Sequence, residues 1–142
     1  MASISRADLY TQPQKTPDIF SDFLNDFRAH PITGDVARIR NENSIKQSIK
    51  NLVYTNYGER FFQPSIGSHV MGSLFEMADS ITADDLAFHI QQTLQNCEPR
   101  IHVLNVVAVA DATQQTVVVN IVFSIINTTT IQNVDILLKR VR

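Results

Sequence analysis

Cys97-Glu98-Pro99-Arg100 divides a chain of 142 residues into two halves with different hydrophobic periods. Before it, apolar residues recur at helical spacing; after it, they come in β-branched runs. Proline has no amide hydrogen and pushes the residue before it away from the α region, so a helix arriving from the left ends near Glu98. The Glu and Arg that flank this stop leave three roles open: catalysis, structure or an assembly contact.

Downstream of the stop the pattern is that of strands. Val103 to Ala110 is a β-branched run with apolar residues on both faces, apart from Asn105. Asp111-Ala-Thr-Gln-Gln reads as a turn. Thr116 to Ile126 reads as a long strand in which Val117, Val119, Ile121, Phe123 and Ile125 make one wholly apolar face. After Asn127, Val134, Ile136 and Leu138 alternate with Asn133, Asp135 and Leu137 in a third strand. Short links between three strands predict an antiparallel meander.

Upstream, Ile45, Ile49, Leu52 and Val53 form a helical stripe that Ser44 or Asn43 can cap, with Lys46, Gln47 and Lys50 on the solvated side. Asn56 and Gly58 end that helix. The connector Gly58-Glu-Arg-Phe-Phe-Gln-Pro-Ser-Ile-Gly67 has to tuck Phe61 or Phe62 inward, because two exposed adjacent rings make a sticky patch. Ser68 caps a second helix with Val70, Met71, Leu74 and Phe75 inward. Thr82 caps a third, with Asp84 and Asp85 in its first turn and Leu86, Ile90, Leu94 and Cys97 as its stripe.

Further toward the N-terminus, Asp18 is expected to cap a short helix carrying Ile19, Phe20, Phe23, Leu24 and Phe27. Residues 28–43 read as a loop with a short strand, and residues 1–17 as an extended arm. The expected architecture is a single α+β domain over residues 1–142. A mainly helical half, 18–98, packs on a C-terminal antiparallel half, 101–142.

Composition narrows the function classes. Apolar residues make up 44% of the chain and charged ones 18%, as in a folded protein with a real core. The net charge of −2 gives no general drive toward nucleic acid, although Lys139-Arg140-Val141-Arg142 form a basic end that is either solvated or a contact. No stretch approaches the ~20 apolar residues of a membrane span, and the first residues lack a signal-peptide core. A lone Cys97 excludes an internal disulfide framework and suits a reducing compartment.

No constellation of catalytic residues stands out. Glu59, Glu76, Asp79 and Glu98 lie near element ends, and a glycosidase needs two such groups flanking one bond. Each has an ordinary use as well, since Glu59 neighbours Arg60 and Glu98 lies near Arg100. His30, His69, His89 and His102 share no metal-ligand spacing, and there is no phosphate loop or serine elbow. Neither a metal nor a cofactor is expected. What remains is the strand half, whose last hairpin leaves an edge that either takes another strand or is covered by the helices and the N-terminal arm.

In order along the chain stand Ile45-Lys-Gln-Ser-Ile-Lys-Asn-Leu, Gly58-Glu59-Arg60 with Phe62, Pro64 and Gly67, Leu74-Phe75-Glu76, and Glu98-Pro99-Arg100 directly before the strands. This succession resembles the small baseplate wedge protein, or sheath initiator, of contractile phage tails and related injection machines. Phe61 departs from it, standing where the family often has proline. The resemblance implies a structural, non-enzymatic virion component, assembled in the host cytoplasm. It would contact wedge-core proteins through Glu98, Pro99 and Arg100, and the tail sheath through strands carrying Val117, Val119, Ile121, Phe123, Val134, Ile136 and Leu138. Tube or hub proteins are further expected neighbours; nucleic acid and membrane are not. The alternatives are a peptidoglycan hydrolase using Glu59 or Glu98, and a small regulatory adaptor of the same fold.

Overall fold

A computed structural model of the chain describes residues 18–74, 80–111, 116–126, 128 and 130–139. The turn expected at 112–115, the N-terminal arm, the basic end from Arg140, and Phe75, Glu76 and Asp79 lie outside the described residues. The chain divides at Asn41 and Glu42 into two compact units.

The larger unit begins with helix α1, Glu42–Tyr54, whose Ile45, Ile49, Leu52 and Val53 are buried as the stripe requires. Ser44 sits inside the helix, fully buried, rather than capping it. The short helix α2, Val70–Ser73, keeps Val70 in the core and is too brief for the longer second helix expected here. Helix α3 runs Ser80–Cys97, so Thr82 lies within it and no acidic side chain occupies its first turn. Ala83, Leu86, Ile90 and Leu94 are buried along it, while Cys97 at its end is only half-buried.

The strands β3 (Ile101–Asp111), β4 (Thr116–Ile125) and β5 (Ile131–Lys139) form an antiparallel sheet in the order β3-β4-β5. This is the expected meander, and the unit is an α+β fold. Helix α3 packs along β3, and α1 and α2 pack against α3. The core face of the sheet is Ile101, Val119, Ile121, Phe123, Ile125, Val134, Ile136 and Leu138.

A bulge between Val103 and Asn105 moves the core-facing positions of β3 from odd to even numbers, while Val107 and Val109 stay exposed on the open face. The extra residue, Leu104, shifts the side-chain phase by one. Ile101 and Val103 point inward before it; Val106, Ala108 and Ala110 lie opposite core-facing β4 residues after it.

The smaller unit corrects the helix expected at 18–27. Ser21–Phe23 (β1) pairs antiparallel with Arg38–Arg40 (β2), Ser21 opposite Arg40. Asp18, the expected cap, instead makes a 2.7 Å ion pair with Arg40, and Arg38 stacks over the Phe23 ring. Ser, Asp and Asn are weak helix formers, so pairing with a distant strand overrides the short apolar period. Phe27, at φ +50°, could not continue a helix in any case.

Candidate functional site

The turn from α3 into β3 holds a densely bonded polar group. The Glu98 carboxylate is 3% exposed. The Ser48 hydroxyl donates to its Oε2 at 2.6 Å, and Arg100 donates from Nε to Oε1 at 2.6 Å and from Nη2 to Oε2 at 2.7 Å. A fork on a carboxylate is the geometry in which arginine binds most strongly. Burial by itself would raise the Glu98 pKa; the Arg100 and Ser48 hydrogen bonds and the Arg100 charge together outweigh it, so the pKa is lowered from the usual 4.5.

Glu98 and Arg100 thus come together as the sequence suggested, but toward each other. Ser48 on α1 is the partner that reading along the chain missed; it lies one turn beyond the buried Ser44 and Ile45. Pro99 is exposed and Arg100 half-exposed, so these two present the motif to solvent. The Arg100 carbonyl also accepts the Ile126 N–H at 3.0 Å, tying the turn to the end of β4.

The second motif closes a loop. The Gly58 N–H donates to the Pro64 carbonyl at 2.9 Å, and Glu59 accepts the Asn56 N–H while donating its own to the Asn56 carbonyl. At the base, Ser68 donates its N–H to Thr55 and its hydroxyl to Val53, each at 2.7 Å. Gly67 is forced: its φ is +149°, and a Cβ there would lie 2.7 Å from the Asn56 carbonyl carbon and oxygen. Gly58, Glu59, Pro64 and Gly67 are therefore the frame of the loop.

Arg60 and Phe62 stand at its tip. Contrary to the expectation that one ring tucks inward, Phe61 is 88% and Phe62 102% exposed, and Phe62 takes φ +67°. The closed frame leaves the tip no route to the core. A bulky residue in the left-handed region is strained, and such strain concentrates at working surfaces.

The sheet contributes its outer edge. The named strand residues Val119, Ile121, Phe123, Val134, Ile136 and Leu138 are buried in the core, and Val117 is half-buried. They leave a partner the backbone of β5. Because Ile126 donates to Arg100, even-numbered residues of β4 turn their N–H and C=O toward β3, and odd-numbered ones toward β5. The β5 residues opposite the even positions, Ile131, Asn133, Asp135, Leu137 and Lys139, direct theirs outward. Consistent with this, the Tyr54 hydroxyl donates to the Leu137 carbonyl at 3.1 Å. On the open face, Val109, Val118 and Leu137 form an exposed apolar row across all three strands.

The larger unit is thus a two-layer α+β module with an internally paired polar turn, an exposed aromatic loop tip and a sheet edge that is partly unpaired among the described residues. Residues 40–130 match the model of a family described as baseplate wedge protein gp25, and the chain belongs to that family. It is 38% identical over 95 residues to baseplate wedge protein gp25 of Enterobacteria phage T4, covering 66% of this chain and 70% of that one. As a member of that family, the chain is a structural component of a tail baseplate.

Solved structures share the fold. A Geobacter sulfurreducens protein provisionally described as a tail lysozyme superposes with a TM-score of 0.65 at 24% identity, over 71% of this chain and 92% of that one. A chain of the anti-feeding prophage baseplate gives 0.59 at 18% identity, over 84% of each. A chain of the type VI secretion baseplate complex gives 0.60 at 14% identity, over 70% and 93%.

Proposed function

We propose that this protein joins the wedge core of the baseplate to the sheath, and that the first sheath ring starts on it by adding a strand to β5. The observation that carries this reading is the outward row of backbone groups on β5. Among the described residues those of Ile131, Asn133 and Asp135 have no partner. Unpaired strand edges recruit strands, with main-chain hydrogen bonds as the source of affinity.

The wedge-facing contacts are Pro99 with the outer side of Arg100, and the Phe61-Phe62 tip. Glu98 acts by holding Arg100 in place, and the loop frame acts by holding the rings. A rigid presentation lowers the ordering cost of binding. The protein works without catalysis. A general acid needs a raised pKa, whereas Glu98 is held ionised by its arginine. The Glu59 carboxylate is engaged with the Asn56 backbone.

Complementation of a deletion phage or cell with Asn133→Pro tests the sheath contact. This change removes one outward N–H and blocks the edge without costing a bond to β4. The expected outcome is complete baseplates bearing unsheathed tubes; normal sheathed tails would contradict the proposal.

A further inference from the structure

The outer edge of β5 is not uniformly open. Ile131, Asn133 and Asp135 offer three N–H and three C=O groups outward, but the next acceptor, on Leu137, is already taken by Tyr54. We propose that Tyr54 is a register stop: a strand added to β5 pairs along Ile131–Asp135 and ends before Leu137. This inference rests on the sheath-docking reading and specifies how far the docked strand runs.

The occupant follows from the chemistry of the edge. Alternating N–H and C=O groups two residues apart are matched by an extended backbone and by no side-chain surface. The position of the stop follows from the fold. Tyr54 is the last residue of α1, between the buried Val53 and Thr55, whose N–H and hydroxyl both donate to the Asn51 carbonyl. Its backbone is held on both sides, and its half-exposed ring stands beside the edge with the hydroxyl 3.1 Å from the Leu137 oxygen.

An incoming N–H that displaced the hydroxyl would exchange one hydrogen bond for another, which is close to neutral. It would also have to turn the ring away, and until it does, the Leu137 N–H and the Lys139 backbone beyond it stay out of a docked strand's reach. A fixed stop is valuable on a strand edge, where a slip by one residue exchanges the two faces of the added strand. The exposed Leu137 side chain lies in the apolar row with Val109 and Val118, on the open face rather than along the edge.

The test is hydrogen–deuterium exchange, read residue by residue, on the full chain alone and in complex with the sheath subunit of the same tail. The outward amides of Ile131, Asn133 and Asp135 should slow by about tenfold or more on complex formation. Those of Leu137 and Lys139 should not change. In Tyr54→Ala, protection should extend to Leu137. Protection of Leu137 and Lys139 in the unaltered chain would overturn the stop while leaving strand docking intact. Failure of Tyr54→Ala to extend protection would likewise overturn the stop alone. A complex that protects no β5 amide would overturn the docking reading, and the stop with it.

Discussion

The two connectors of the helical layer, the loop over residues 55–68 and the turn Glu98-Pro99-Arg100, are made of similar materials and used in opposite senses. Both contain glutamate, arginine and proline. In the turn, charges that could have faced a partner are folded inward against each other, leaving Pro99 as the most exposed residue. In the loop, rings that could have filled the core are held outside it by a closed backbone frame. A polar motif therefore works as internal structure, and an aromatic one as surface. Motif composition alone does not say which way a connector faces; the hydrogen bonds that close it do.

The largest effect should come from breaking the loop frame. Gly67→Ala forces a Cβ against the Asn56 carbonyl in a backbone region hostile to side chains, and should cost about 3 kcal/mol in chemical denaturation. Glu98→Ala breaks the turn, leaving Arg100 and Ser48 without their acceptor. The expected loss is about 2 kcal/mol, less than for a deeply buried pair because the Arg100 side chain keeps 33% of its surface in solvent. Glu98→Gln, which preserves the shape and an acceptor, should lose less.

The turn also carries a pH dependence. The Glu98 pKa is lower folded than unfolded, so its stabilisation is present in full above about pH 4.5 and is lost as pH falls through the lowered value. Thermal melts should therefore show the Glu98→Gln difference closing below pH 4.5. The smallest effect sharpens the contrast most. Phe62→Gly removes both the ring and the left-handed strain, and should stabilise the isolated protein by about 0.5–1 kcal/mol while reducing its incorporation into baseplates.

The strand half was legible because one residue period persists over long runs: Val117 to Ile125 names the core face of β4 without further information. The α1 stripe was equally direct. What the sequence could not show were features fixed by distant residues. Strand β1 exists through Arg38–Arg40, some seventeen positions away from Ser21–Phe23, and not through its own propensity. Ser48 reaches Glu98 across 50 residues. The exposure of Phe61 and Phe62 depends on Gly67 meeting Asn56, an approach that residue types alone do not reveal. The motif order placed the chain in its family, yet the roles of individual motif residues depended on which side chains were already engaged within the fold.

The most direct measurement is a cryo-electron reconstruction of the assembled tail. This chain is expected in the inner baseplate, with Pro99, Arg100 and the Phe61-Phe62 tip against wedge-core proteins and a sheath strand laid along Ile131–Asp135 of β5. A chain placed away from the first sheath ring, or a ring whose nearest strand pairs elsewhere, would contradict that expectation.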